Sequence, residues 1–153
     1  VKKRGRVIGI DLGSRRIGVA VTDTGQTVAT AVTTVVRGDD RAADHHALSA
    51  IVEEYDAVGV VVGLPISLSG EAGPAAQGVL VEVGELRAAL SLEVETTDER
   101  LTTVAAAGAL RAGGRSSREQ RPVIDETAAA ILLQAWVDRR RSRPDTGAQV
   151  GEK

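Results

Sequence analysis

The apolar positions open in two short runs, Val7–Leu12 and Ile17–Val21, parted by Gly13-Ser-Arg-Arg16. β-Branched runs broken by a Gly-containing turn predict a β-hairpin. Asp23-Thr-Gly-Gln26 reads as the next turn, and the Val- and Thr-rich stretch Thr27–Val36 as a third strand, antiparallel to the second. The period then changes. Gly38-Asp-Asp40 offers a helix start, and Ala47, Leu48, Ile51 and Val52 recur at helical spacing as far as Tyr55. Ala57–Leu64 is an uninterrupted apolar run closed by Pro65, the pattern of a strand buried on both faces within a parallel pair. After the loop 63–74, Ala76, Val79, Leu80, Val83, Leu86 and Leu90 line one face of a second helix, which Gly78 and Gly84 weaken. Leu92–Thr97 alternates apolar with polar residues and suits an edge strand. Leu101–Val104 begins another helix, Gly113–Arg121 reads as a polar, basic loop, and a last helix covers Ile124–Arg140.

Three antiparallel strands followed by helix–strand–helix–strand, joined by right-handed crossovers, predict an α/β fold. Its sheet is mixed and five-stranded, in the order 3-2-1-4-5, with helices on both faces. Residues 1–141 are expected to form a single domain and 142–153 a disordered tail. With 153 residues, such a domain buries most of its core surface unaided.

One residue breaks the apolar pattern. Asp11 sits inside the first strand with apolar neighbours on both sides, where a carboxylate is costly unless a cation or strong donors offset it. The plain alternative is an Asp that accepts hydrogen bonds from the turn backbone of residues 13–16. The predicted sheet order brings two partners to the same end: Glu99 from the end of the fifth strand, and Asp125 from the first turn of the last helix. Asp125 shares a helical stripe with Ala128, Ala129, Leu132 and Trp136, so it faces the core. Three carboxylates can share a site only where cations offset their repulsion, and an all-oxygen set selects Mg²⁺ or Mn²⁺. Asp98 and Glu126 are acidic neighbours of that set.

Composition narrows the chemistry further. There is no Cys, which removes disulfides, thiolate metal sites and a thiol nucleophile, and fits a reducing compartment. No apolar segment is long enough to span a bilayer and no signal peptide precedes the first strand, so a cytoplasmic protein without membrane partners is expected. Aromatic content is 1% with no Phe, so the core must be built from Val, Leu, Ile and Ala, and no base-stacking platform is expected. Net charge is −2, yet charge is segregated. Residues 37–99 hold three basic and thirteen acidic side chains, whereas 100–121 hold five Arg against one Glu. Lys2–Arg6 and Arg139–Arg143 contribute four basic residues each. Segregation of this kind can give a basic face on an acidic protein. His45 and His46 are adjacent on the first helix and diverge by about a hundred degrees, so they form no metal pair and are expected at the surface.

Four blocks carry a family resemblance: Gly9-Ile-Asp-Leu-Gly-Ser-Arg-Arg-Ile-Gly-Val-Ala-Val-Thr-Asp23; Gly63-Leu-Pro65 with Ser69-Gly-Glu-Ala-Gly-Pro74; Asp98-Glu-Arg-Leu-Thr-Thr103; and Ile124-Asp-Glu-Thr-Ala-Ala-Ala-Ile-Leu-Leu-Gln134. In order and spacing, over residues 5–138, the chain resembles the YqgF/RuvX family of Holliday-junction-resolvase-like nucleases of the ribonuclease H superfold. The first block alone is shared with sugar kinases and actin-like ATPases; the Asp-Glu-Arg-Leu-Thr-Thr block with the terminal Asp is far more specific. The resemblance implies a metal-dependent nuclease that matures the 5′ end of the small-subunit ribosomal RNA precursor. Its acidic positions fall on Asp11, Glu99 and Asp125, with Asp11 bridging two Mg²⁺ or Mn²⁺ ions and the others holding one each. Arg15, Arg16 and Arg100 are the candidates to neutralise phosphate near the scissile bond, and Arg115, Arg118 and Arg121 to track the backbone. Two departures bear on affinity. Ser67 and Ser69, the candidate substrate-binding residues of the Gly-Leu-Pro loop, stand where relatives often carry Asn and Asp. Arg118-Glu-Gln-Arg-Pro122 replaces a run often rich in Lys.

The expected partner is pre-ribosomal RNA, bound by a monomer or homodimer. Cleavage of a DNA four-way junction is the alternative, and a non-catalytic RNA-binding assembly factor on the same fold is a third reading. An ATP-dependent kinase is disfavoured, because actin-like ATPases close two similar domains over the nucleotide and only one is expected here.

Overall fold

The computed structural model describes residues 1–66, 70, 73–99 and 117–142, with 117–127 described as backbone only. Strands β1 (Val7–Leu12), β2 (Arg16–Thr22) and β3 (Ala29–Val36) lead to helix α1 (Arg41–Glu54). Strand β4 (Gly59–Leu64), helix α2 (Pro74–Leu90), strand β5 (Val94–Asp98) and helix α3 (Ser117–Ser142) follow. The sheet has the order β3-β2-β1-β4-β5, as the hydrophobic pattern predicts. β1 pairs antiparallel with β2, placing Asp11 opposite Gly18, and parallel with β4, placing Ile10 opposite Val62. β5 runs parallel to β4 at the edge, with Asp98 opposite Leu64.

Alternation along the strands divides the core. Ile8, Ile10, Val60 and Val62 face α1 and α2, meeting Leu48, Val52, Leu86 and Leu90. Val7, Ala20 and Val61 point the other way, onto Ala129, Leu133, Trp136 and Val137 of α3. Two glycines let α3 come close on that side. A Cβ on Gly9 would lie 2.7 Å from the Leu133 Cβ, and one on Gly63 would lie 3.0 Å from the Leu132 Cδ2. Leu132 therefore sits at the carboxyl end of β4. Arg140 reaches the carbonyl of Val1, which covers Gly59 at the start of β4, so α3 runs antiparallel to β4 and β1. Gln134 pins the helix to β3 by accepting from the Ala29 N–H at 2.8 Å and donating to the Thr27 carbonyl at 3.1 Å.

Local expectations hold where side-chain chemistry dictates them. Asp40 caps α1 through the Ala42 N–H, and Pro74 opens α2. Asp23 accepts from the Thr27 N–H and hydroxyl and from the Val28 N–H, which holds its carboxyl well below the usual range. Three expectations need correcting. His45 is buried rather than at the surface, while His46 is exposed. Leu80 is 39% exposed, and Glu82 takes a buried place on α2 instead. Both corrections have one cause, an ion cluster between α1 and α2 that hydrophobic periodicity does not detect. Finally, the last helix begins at Ser117, so residues 118–121 are helical backbone rather than loop. Arg, Glu and Gln are good helix formers, and they extend the helix before Pro122, where Pro alone suggests a start. The helix expected from Leu101 and the loop of Ser67 and Ser69 lie outside the described residues, as does the tail beyond 142.

Candidate active site

Asp11 is the fifth residue of β1, on the face that carries Val7 and Gly9 toward α3. Beyond it the chain turns tightly: the Gly13 N–H donates to the main-chain oxygens of Arg16 at 2.9 Å and Asp11 at 3.2 Å. Arg15 is exposed at the tip of this turn and Arg16 is half-buried at the start of β2. On the other side of β4, Glu99 extends the β5 ladder by one residue, its N–H donating to the Leu64 carbonyl at 3.3 Å. Its side chain turns to the α3 face, where the Glu99 Oε2 lies 3.0 Å from the position a Gly63 Cβ would occupy. Any side chain at 63 would displace it.

Burial pushes the Glu99 carboxyl up, and the charges of Asp11 and Asp98 push it further in the same direction. Asp11, Asp98 and Glu99 thus form one electrostatic group at the carboxyl ends of β1 and β5, with β4 between. Crowding of carboxylates in a half-buried site is the condition that a hard divalent cation relieves, and the donors are all oxygen. The site fits Mg²⁺ or Mn²⁺ in donor chemistry, although among the described residues no group of three or more His, Asp or Glu is gathered closely enough to hold a metal. The backbone of Asp125 lies on α3, two turns or roughly 10 Å along the helix from Leu132. That direction is toward the end of the sheet where Asp11 and Glu99 stand. Its side chain, with those of Arg118, Arg121 and Glu126, lies outside the described part of the structure, and so do Ser67, Ser69, Arg100 and Arg115.

Sequence reasoning missed a second group beside the hairpin turn. Arg37 follows β3 and donates through Nη1 and Nη2 to the two carboxylate oxygens of Glu82, each at 2.9 Å. His45 Nε2 lies 2.7 Å from Glu82 Oε2, and Asp44 Oδ2 lies 3.6 Å from Arg37 Nη1. Burial works to raise the Glu82 carboxyl, but Arg37 and His45 together hold it below the usual range. The only signal in the sequence is a Glu one position before Val83 on the apolar stripe of α2, and it has no partner at helical spacing.

A groove of about 420 Å³ lies beside β5, lined by Thr97, Asp98, Trp136, Arg139 and Arg140 among others. The Arg140 guanidinium stacks 4.5 Å from the centre of the Trp136 ring, and Arg139 donates to the Thr97 hydroxyl. The aromatic side chain is thereby covered by a cation and is not offered to a base. Among the described residues no helix is long and apolar enough to cross a membrane.

The family model described as RuvX, Holliday junction resolvase, matches residues 5–139. A relative from Rhodococcus opacus (strain B4), named as a candidate pre-16S rRNA nuclease, is 52% identical over 152 residues, covering 97% of this chain and 85% of its own. One from Anaeromyxobacter sp. (strain K), of the same name, is 46% identical over 135 residues, covering 88% of this chain and 98% of its own. Among solved structures, Thermus thermophilus RuvC in complex with a Holliday junction substrate superposes with a TM-score of 0.56 at 18% identity. That match covers 90% of this chain and 96% of RuvC, a likeness of fold. With its sheet order, its acidic strand ends and a match that runs from residue 5 to residue 139, the chain belongs to the RuvX family.

Proposed function

We propose that the protein is a divalent-metal-dependent nuclease that hydrolyses phosphodiester bonds, with the precursor of the small-subunit ribosomal RNA as its substrate. The observation that carries this reading is Glu99: a carboxyl pushed up by burial and by Asp11 and Asp98, at the carboxyl end of the sheet, in a RuvX-family chain. The relatives' names supply the substrate class. In this reading Asp11, Glu99 and Asp125 would together hold two Mg²⁺ or Mn²⁺ ions. Bound there, the ions would supply an activated water and stabilise charge on the leaving oxygen.

The chain's own residues contribute orientation and charge. Asp11 and Glu99 project from strand ends whose backbones are fixed by ladder hydrogen bonds, so the points from which their side chains start are set before any ion arrives. Arg15, exposed at the tip of the turn after Asp11, would meet a phosphate oxygen of the strand being cut. Arg118 and Arg121, on the helix that carries Asp125, would follow the phosphates flanking the cut. Trp136 is buried and capped by Arg140, and Tyr55 is half-buried against the core, which favours recognition of backbone and shape over base sequence.

A second reading is junction cleavage in DNA, favoured by the family description and by the fold shared with RuvC. One experiment separates them. Purified protein is offered a precursor rRNA fragment and a four-way DNA junction in parallel, each with Mn²⁺ or Mg²⁺, alongside an Asp11→Asn variant. Metal-dependent cleavage of the RNA alone, lost in Asp11→Asn with RNA binding retained, is the expected result. Cleavage of the junction alone selects the resolvase. Binding of RNA without cleavage under any divalent metal selects an assembly factor, and an Asp11→Asn variant that cleaves at the wild-type rate removes Asp11 from the chemistry.

A further inference from the structure

The β1–β2 turn that follows Asp11 is gripped from outside by one residue. The Arg37 Nε donates to the Gly13 carbonyl at 2.7 Å, and the Arg37 N–H donates to the Arg15 carbonyl at 2.9 Å. Arg37 thus holds both arms of the turn. The rest of its guanidinium is committed to α2, through the two-pronged pair with Glu82 at 2.9 Å, and to α1, through Asp44 at 3.6 Å. Glu82 is in turn braced by His45 at 2.7 Å, and Asp44 by the Gly38 N–H at 2.9 Å. The Arg37 side chain is 13% exposed and that of Glu82 is 6% exposed. Buried ion clusters of this kind are generally no more stabilising than apolar side chains of the same volume. A purely structural need would be met by apolar residues extending the nearby Leu48 and Leu86 core. What an apolar side chain could not do is reach a main-chain carbonyl two residues beyond Asp11 and hold it in one direction.

We propose that Arg37 is a positioning residue for the nuclease site: through Gly13 it fixes the turn after Asp11, and with it the direction in which the Asp11 carboxylate projects, while Glu82 and His45 hold Arg37 itself. The supporting partners of a metal-ligating side chain act in this way, and their loss costs about 10- to 100-fold in metal affinity or activity. The inference rests on the nuclease reading only where metal and RNA are concerned. The effect on the turn stands by itself.

Arg37→Lys tests it. Lysine keeps the positive charge opposite Glu82, but its single ammonium cannot span both Glu82 oxygens and the Gly13 carbonyl. In amide hydrogen exchange the Gly13 N–H is expected to lose protection, while the amides of Ile8 and Val60 in the sheet centre keep theirs. Mn²⁺ affinity of the folded variant, measured by calorimetry, is expected to fall about 10- to 100-fold. At saturating Mn²⁺ and with RNA varied, kcat should fall with KM for RNA unchanged, a split that a general loss of folded protein would not give for the folded fraction. Should Arg37→Lys fail to fold, Arg37→Met combined with Glu82→Leu and Asp44→Asn removes the Gly13 hydrogen bond while filling the same space and leaving no buried carboxylate without a cation, and the same three measurements apply. Unchanged Gly13 protection, or a folded variant with wild-type Mn²⁺ affinity, overturns the proposal. The exchange measurement needs neither metal nor RNA, so it decides the role of Arg37 at the turn even if wild-type protein binds no Mn²⁺. That last result would count against the proposed function instead.

Discussion

Gly9 offers the sharpest link between packing and chemistry. An added methyl at this position would place its Cβ 2.7 Å from the Leu133 Cβ, where ordinary contact begins at 3.4 Å. The Leu133 Cβ is fixed to the α3 backbone, so no change of rotamer relieves the overlap; the helix must move away from the sheet. Overpacking of a well-filled core costs about 1–3 kcal/mol, and for a domain of this size each kcal/mol lowers Tm by about 2–4 °C. Gly9→Ala should therefore melt about 2–12 °C below wild type by circular dichroism or calorimetry. The same displacement carries the backbone of Asp125 away from Asp11. Misplacement of a reacting group by about 1 Å can cost about 100-fold, so RNA cleavage by the folded variant should fall on that scale. Gly78→Ala is the opposing control. Nothing lies within 4 Å of a Cβ there, and replacing an exposed helical Gly by Ala should stabilise by about 1 kcal/mol with activity unchanged. A Gly9→Ala variant that melts and cleaves as wild type would refute the close approach of α3 and the placement of the site beneath it.

The carboxyl of Glu99 sets a pH dependence in the metal-free protein. Its pKa is raised in the folded state, so the unfolded chain releases that proton first; the contribution to stability falls as pH rises from the ordinary carboxylate range through the folded value, and stays lower above it. Glu99→Gln should consequently raise the Tm of metal-free protein near neutral pH and leave it unchanged near about pH 4; a variant less stable at neutral pH would contradict the crowding of carboxylates. Mn²⁺ at a hundred times its Kd should stabilise wild type by about 2.7 kcal/mol, roughly 5–11 °C, and Asp11→Asn by far less, which a thermal-shift titration checks. Replacing Arg115, Arg118 and Arg121 together by Ala should weaken binding to RNA of any sequence and flatten its salt dependence by roughly one unit of slope for each phosphate no longer neutralised. An unchanged slope would remove them from the substrate path.

The sheet was legible in the sequence because its information is local. Period-two runs, turns at Gly13 and Asp23, and the apolar run ending at Leu64 specify strands, and the right-handed crossover rule leaves one order for them. Asp11 was legible because a charge within an apolar strand is costly and therefore conspicuous, and Glu99 because it stands at the end of a strand that the order brings alongside. Only the tertiary structure decided what held those carboxylates. Gly9 and Gly63 look like weak strand residues until α3 is laid across them, at which point their missing side chains set the depth of the helix and the room for Glu99. His45 and Glu82 look like surface residues, because periodicity registers apolar positions and an ion cluster has no period. Arg37, Asp44, His45 and Glu82 come from a strand end and two helices, and Glu82 lies 45 residues from Arg37 in the chain. A buried charge is tolerable only when its partner is in place, and for partners so far apart in sequence the fold alone supplies that condition.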